Sequence, residues 1–362
     1  MERLTRLLTT VRGCLVKIRS PSVWLVVAGL TLIILTYFGS LHFKVSLPIF
    51  NGGNISIDSG SDGLPTVLIY LFFFLGVALL VSAVVREVCL LFFGRKKVIV
   101  VEFRGLRDSA GTPLDVAIPK NIAGRRESFL IDIRQGIHDG EVVDPSAALQ
   151  RVLSVPIDLK RKMNGLDRRD LKLVFGALAP VPFTFLIGVL IDDECDVTLM
   201  DWDRHTKRWR DLKGTDDGAR FTCTGIDNVD PSVVEVALKV SVSYEIFDQD
   251  VQAKVANIPM VSLLLENGSL DSHWSEEKQR SLGEQFINTI MHLGNNGVEK
   301  IHLFLAAPNS VTFRFGALYD KRNFPNVIVY QYQPGSTRKH TWGILMPVRG
   351  NSNPEIITDN TT

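Results

Sequence analysis

Four cysteines in 362 residues, at positions 14, 89, 195 and 223, are too few and too scattered for a disulfide framework. None stands in a CxxC or Cys/His pattern with zinc-ligand spacing. That usage fits a reducing, cytosolic environment for the soluble part. An excess of basic charge is missing as well. Lys and Arg number 40 against 39 Asp and Glu, a net charge of +1, so no global field draws the chain to a DNA or RNA polymer. There is no GxxxxGK[ST] loop, no GxSxG elbow and no HExxH helix, and no residue set demands catalysis. No motif calls for a resident cofactor or metal.

Charge is also absent from two long stretches. Ser22 to Leu41 and Leu64 to Val85 are apolar runs of about 20 residues, each about 30 Å as a helix and so long enough to cross a bilayer. A cleavable leader is a poor reading of the first run, whose core is too long and has no small-residue cleavage site. Arg3, Arg6, Arg12, Lys17 and Arg19 precede the first run, and Arg95, Lys96 and Lys97 follow the second. The loop between them has only Lys44 against Asp58 and Asp62. Because Lys- and Arg-rich flanks stay on the cytoplasmic side, both termini are expected there, with the lipid bilayer as a partner. Arg86 and Glu87 mark the expected edge of the hydrocarbon, with an interfacial continuation to Phe93. Trp24, Tyr37 and Phe38 fit aromatic belts. The organisation expected is a basic leader (1–21), a two-helix transmembrane hairpin (22–93), a soluble region in two halves (98–220 and 221–349) and a polar tail (350–362). Phe43 to Gly63 reads as a short polar connection.

The soluble region is written around one sentence that occurs twice. Lys172 to Leu190, KLVFGALAPVPFTFLIGVL, aligns without a gap on Lys300 to Leu318, KIHLFLAAPNSVTFRFGAL. Seven positions are identical, among them Ala179/Ala307, Pro180/Pro308, Thr184/Thr312, Phe185/Phe313 and Gly188/Gly316. Each copy is a strand-length apolar run, an Ala-Pro turn and a helical pattern. Proline at the first helical turn costs no hydrogen bond, because that N–H has no partner there anyway. The glycine two turns in suits a helix lying close on a sheet. DVTLMDWD (196–203) and NVIVYQYQ (326–333) follow the copies as a further strand each. Two strand-helix-strand units give an α/β fold, in which ligands bind beyond the carboxyl ends of the strands, where helix N-termini offer free N–H groups.

The remaining elements follow from pattern. Val98 to Phe103 and Phe129 to Ile133 are strand-like, with a short strand at Leu114 to Ile118. Asp144 and Pro145 open a helix through Leu153 as N-cap and first residue. The acidic triplet Asp192-Asp193-Glu194 reads as a solvated turn. Asp201, Asp203 and His205 read as part of a hairpin joining Val197 to Trp202 with Arg208 to Leu212. Trp202 and Trp209 are then cross-strand partners or a stacking platform. Val233 to Tyr244 is expected as a long strand, Ser275 to Leu293 as a helix stopped by Gly294-Asn295-Asn296-Gly297, and Thr341 to Val348 as the last strand. His302 reads as a satisfied core histidine.

The second half, IHLFLAAPNSVTFRFGALYD followed by VIVYQYQ, resembles the SAVED domain, and FGALAPVPFTFLIGVLIDD followed by VTLMDWDRHTKRW resembles its first lobe. The resemblance runs from about Val98 to Val348. It implies two fused Rossmann-like, CARF-like lobes that bind a cyclic oligonucleotide made by a partner nucleotidyltransferase (a CD-NTase) in CBASS antiviral defence. With a two-helix hairpin in front, it implies the membrane-spanning SAVED effectors: ligand-driven homo-oligomerisation, loss of inner-membrane integrity and abortive infection. A head-to-tail contact between copies is one form such assembly takes when it does not close. On that reading, phosphates sit near the helix N-termini at Pro180, Val181, Pro182, Ala307 and Pro308, with Asn309 and Ser310 as side-chain donors. Asp201, Trp202, Ser241, Ser243, Gln331 and Tyr332 face the same crevice, Tyr332 stacking a base. Two alternatives stay open on residues alone. One is a membrane-tethered phosphodiesterase that degrades the cyclic signal; the other is a constitutive scaffold that binds a protein.

Overall fold

The computed structural model describes residues 21–37, 44–48, 54–58, 66–93, 96–106, 111–138, 141–191, 196–348 and 353–358. The basic leader up to residue 20, Phe38 and the acidic triplet 192–194 lie outside them. Two compact units divide the chain, Met1–Arg95 and Lys96–Thr362.

In the first unit, α1 (Pro21–Tyr37) packs along the chain's second apolar helix, and the polar connection between them forms an antiparallel ribbon of β1 (Lys44–Pro48) and β2 (Asn54–Asp58). The second helix is α2 (Thr66–Phe93). Its Val67–Cys89 stretch, 23 residues, is long and apolar enough to cross a membrane, whereas the apolar stretch of α1, Pro21–Ile34, is shorter. Arg86 and Glu87 lie inside the continuous helix rather than at its end. Gly29 and Gly76 meet where the helices touch. A Cβ on either would stand 2.8 Å from the other's carbonyl oxygen, the close approach that small residues permit between apolar helices.

In the second unit, β3 (Lys97–Arg104) is buried over all but its end residues, as a strand covered on both faces must be. Residues expected as a short strand instead form a helical turn, α3 (Leu114–Ala117). Pro113 leads into it with φ −56°, and the Glu102 carboxylate accepts the Leu114 N–H at 2.9 Å, which holds the turn closed. Then come β4 (Arg125–Asp132), a small ribbon of β5 (Ile137–His138) and β6 (Glu141–Val142), and α4 (Pro145–Leu153). Asp144 caps α4 by accepting from the Ser146 and Ala147 N–H groups. After α5 (Val155–Met163) the first repeat copy supplies β7 (Leu171–Leu178) and α6 (Val181–Ile191), followed by the hairpin β8 (Val197–Asp203) and β9 (Arg208–Asp211). The first sheet runs β4-β3-β7-β8-β9, parallel except for β9.

The second half adds β10 (Phe221–Thr224), β11 (Glu235–Ser241), α7 (Asp248–Gln252), β12 (Met260–Leu265) and α8 (Glu276–Asn295). The second repeat copy follows as β13 (Lys300–Ala306) and α9 (Asn309–Leu318), then β14 (Asn326–Tyr330), β15 (Trp342–Leu345) and β16 (Glu355–Thr358). Their order is β10-β12-β11-β13-β14-β15-β16, with a parallel centre and antiparallel ends. Strand β16 arises within the stretch expected as a polar tail, where Ile356 and Ile357 pair with Ile344 and Gly343. Strand β11 is shorter than expected. The Ser241 hydroxyl accepts the Ile246 N–H at 3.1 Å, and Val242 and Ser243 both donate their N–H to the Ala306 carbonyl, which bends the chain out of the ladder.

Helices α6 and α9, the two repeat copies, pack on one another between the sheets. The apolar character of α6 on every side follows from its two buried faces. Phe175 stacks on Phe313 with ring centroids 4.2 Å apart. The repeat glycines are the contact points. A Cβ on Gly188 would lie 2.3 Å from the Phe313 carbonyl oxygen, and one on Gly316 would lie 2.1 Å from that of Phe185. Equivalent residues therefore exchange equivalent contacts. The glycines clear a helix–helix approach, not the helix–sheet approach expected from sequence.

Candidate ligand-binding cavity

Both Ala-Pro turns stand at the carboxyl ends of central parallel strands, β7 and β13, and each is closed in the same way. Thr184 Oγ1 donates to the Pro180 carbonyl at 3.3 Å, and its repeat equivalent Thr312 donates to the Pro308 carbonyl at 3.0 Å. Across the lobes, Thr184 Oγ1 also reaches Asn309 Oδ1 at 2.8 Å. Between the turns lies a cavity of about 630 Å³, within the ~300–1,000 Å³ range of small-molecule sites. It brings together Pro180, Val181, Asp201, Trp202, Ser243, Ala307, Pro308, Asn309, Gln331 and Tyr332.

Three residues of the expected set do not line it. Pro182 is buried in α6. Ser241 is occupied with the turn after β11. Ser310 accepts from Gln279 Nε2 at 2.8 Å and donates its backbone N–H to Asp201 Oδ2 at 2.9 Å. That last bond changes the reading of the site. The N-terminus of α9, expected to hold a phosphate, already holds an anion, the carboxylate of Asp201 from the other lobe. Asn309 accepts from Thr184 through its side-chain oxygen, which leaves its amide N–H groups as the side-chain donors at this turn.

Other lining groups escaped the sequence reading. Tyr244, Glu245, Phe247 and Asp250 come from the chain that leaves β11, and Leu270, Asp271, His273 and Trp274 from the loop before α8. His340 comes from the loop before β15 and Arg204 from the β8–β9 turn. None belongs to a motif; the one available signal was that Tyr244 is the last residue of the expected strand, next to Ser243. Trp202 meets Trp209 edge-on across the β8–β9 register, centroids 5.3 Å apart, and also faces the cavity. Tyr332, half exposed, stands edge-on to His340.

The electrostatics are unusual for an anion site. Arg204 is the only Lys or Arg among the described lining residues, against the carboxylates of Asp201, Glu245, Asp250 and Asp271. Asp271 is held by Trp274 Nε1 and His205 Nε2, both at 3.1 Å. His273 is 3 % exposed, and its Nε2 lies 3.6 Å from Asp201 Oδ2 without a hydrogen bond. Burial holds its pKa below the usual histidine value, against the pull of Asp201. Burial likewise lowers that of His340 to about 4. Both rings are neutral at physiological pH. His302, by contrast, is satisfied within the sheet, by Tyr330 Oη at 2.9 Å and Glu235 Oε2 at 3.0 Å. Among the described residues no cluster of three or more His, Cys, Asp or Glu is arranged to hold a metal ion.

The second unit is thus an α/β domain built on a repeated strand-turn-helix, with one cavity between the repeat turns, and it follows a pair of apolar helices. Residues 156–346 match the family described as SMODS-associated and fused to various effectors sensor domain, SAVED, and residues 1–149 match the SAVED-fused 2TM effector domain. The chain belongs to the SAVED family, in the membrane-effector form associated with CBASS systems. Among solved structures, it is similar to the Cap4 SAVED/CARF-domain containing receptor of Acinetobacter baumannii with the cyclic trinucleotide 2'3'3'-cAAA, at 14% identity and a TM-score of 0.47. The match covers 78% of this chain and 58% of that one. The corresponding receptor of Moraxella osloensis gives 14% identity and a TM-score of 0.44, over 77% of this chain and 56% of the other. The chain therefore spans a little over half the length of these receptors. No curated protein matches it significantly.

Proposed function

We propose that the chain is an antiphage effector that binds a cyclic oligonucleotide in the cavity between its repeat turns and, on binding, oligomerises and breaches the membrane through its apolar helices. One observation carries the binding part. Of the seven buried side-chain polar atoms without a hydrogen-bond partner among the described residues, four belong to cavity residues: both ring nitrogens of His273, Gln331 Oε1 and His340 Nδ1. Buried polar atoms are almost always paired, so their concentration at one cavity fits groups that a polar ligand completes. Trp202, Tyr244, Phe247 and Tyr332 offer ring faces for bases around them.

The coupling to assembly is a linkage argument. A ligand shifts association only by binding the assembled state better, as it would if a second copy completed its enclosure. A head-to-tail contact of that kind need not close, and it would line up the apolar helices in a bilayer whose cytoplasmic face carries the sensor. The inner membrane of the host cell, with both termini cytoplasmic, is the setting this requires.

The test uses the full chain in lipid nanodiscs with a panel of cyclic di-, tri- and tetranucleotides. Thermal stabilisation by one member, with growth of the assembly and leakage of dye from vesicles, is the expected outcome. A folded sample that no member stabilises overturns the reading. Stabilisation accompanied by disappearance of the intact ring would favour a degrading enzyme instead.

A further inference from the structure

The cavity's charge does not suit a ligand recognised mainly through its phosphates. Asp201 and Asp271 are spent on contacts within the protein, but the carboxylates of Glu245 and Asp250 accept no hydrogen bond and form no ion pair among the described residues. They stand with Tyr244 and Phe247 on one segment, Tyr244 to Asp250, so acids and aromatic faces are presented together at the cavity wall. Tyr244 and Phe247 are each 57% exposed. Gln331 donates its amide N–H to the Tyr332 carbonyl at 2.8 Å, which leaves its buried Oε1 as an acceptor. His273 and His340, both more than nine-tenths buried and neutral, add unpartnered ring nitrogens. Among the charged groups acceptors thus predominate, Glu245 and Asp250 against Arg204, the one fixed positive charge, while the Asn309 amide and one ring N–H of His273 add neutral donors.

We infer that this cavity selects nucleobases by their amino groups: Glu245, Asp250 and Gln331 accept hydrogen bonds from exocyclic amines of bases stacked on Tyr244, Phe247 and Tyr332. This rests on the proposal that the ligand is a nucleotide ring, and it adds which edge of the ring is read. Carboxylates accept from base amines as they do from the cytosine amino group in nucleic-acid recognition, and they repel the carbonyl oxygen that replaces the amine in uracil and hypoxanthine. A phosphate turned towards Glu245 and Asp250 would meet like charge, so the backbone of the ring faces Arg204 instead.

The experiment compares rings matched in size and linkage that differ only by amine against carbonyl, cytidine against uridine and adenosine against inosine, on the full chain in nanodiscs. At least about tenfold tighter binding of the amino-bearing ring is expected, the discrimination a directed base contact gives. The double variant Glu245→Gln, Asp250→Asn should shrink that ratio and raise binding of the carbonyl ring, because an amide donates where a carboxylate cannot. Equal affinities within each pair overturn the amine selection and leave ring binding standing. Failure of every ring to bind folded protein removes the cyclic-nucleotide reading, and this inference with it. A ratio unchanged by the double variant assigns the discrimination to other groups and overturns the role of these carboxylates.

Discussion

Asp201 Oδ2 accepts the backbone N–H of Ser310 at 2.9 Å, a bond that ties the end of β8 to the start of α9 across 109 residues. Its other oxygen accepts the Trp202 N–H at 2.7 Å, so one buried carboxylate serves both lobes. Replacing it with alanine orphans the buried Ser310 N–H, which costs ~1–3 kcal/mol. Asp201→Asn loses the charge at the helix N-terminus, worth ~0.3–1 kcal/mol, and keeps one acceptor oxygen, which serves Ser310 when the amide N–H2 is turned towards the more exposed Trp202 side. Denaturant titration of the two variants should therefore rank alanine well below asparagine. Equal losses would show that the charge, not the hydrogen bond, makes the tie.

Gly188 and Gly316 invert the ordinary rule for glycine in helices. Glycine to alanine in a helix interior normally gains up to ~1 kcal/mol. Here the new Cβ would press on the Phe313 or Phe185 carbonyl oxygen at 2.3 or 2.1 Å, and backbone in a packed helix pair has little room to yield. Overpacking of that kind costs ~1–3 kcal/mol, so each alanine variant should melt lower than the wild type. A neutral or stabilising result would mean that α6 and α9 slide apart at no cost.

Three buried histidines make stability fall with acid. Burial is the largest cause of the lowered pKa of His273, His302 and His340, the last to about 4 from 6.5. Since the unfolded chain binds these protons first, the stability they contribute is complete above about pH 6.5 and is lost as pH falls towards the folded values. For His340 alone the full loss is on the order of 3 kcal/mol. Melting temperature should drop between pH 7 and pH 5, and His340→Phe, which keeps an aromatic ring against Phe304 and Tyr332 and has no titratable group, should flatten part of that slope. An unchanged slope in the variant would place the titration elsewhere.

How much of this was legible in the sequence depended on whether the determining contact was local. The repeat, the N-cap at Asp144, the helix beginning at Ser275 and the Trp202–Trp209 pairing are set by neighbours in the chain or by one hairpin, and pattern was enough to find them. The paired Ala-Pro turns pointed to the cavity between the lobes because a strand's carboxyl end fixes where its turn must lie. The use of each turn was not legible. That Asp201 would fill the N-terminus of α9, or that Ser310 would face Gln279, depends on how two lobes dock more than 100 residues apart. Strand β12 was missed because six residues of MVSLLL, buried alternately, give too short a period to separate from a loop. Turn α3 was misread because its closing partner, Glu102, lies on another strand.

Tyr332 and Trp202 occupy equivalent places after the repeat strands, and both face the cavity, yet they differ in what else they do. Trp202 packs on Trp209, so its removal would disturb the β8–β9 hairpin along with any ligand contact. Tyr332 is 50% exposed, and among the described residues its one ring–ring contact is with His340, edge-on. It is therefore the cleaner probe of base stacking. Stacking on an aromatic ring contributes ~1–3 kcal/mol per base, so Tyr332→Ala should weaken binding of the activating cyclic nucleotide by roughly 5- to 150-fold with little change in melting temperature of the unliganded chain. Tyr332→Phe keeps the ring face and should bind as the wild type does. If phenylalanine lost as much affinity as alanine, the hydroxyl would be the contact and the base would lie elsewhere. If neither changed affinity, the ligand would stack on Tyr244 or Phe247, and those residues would carry the same test.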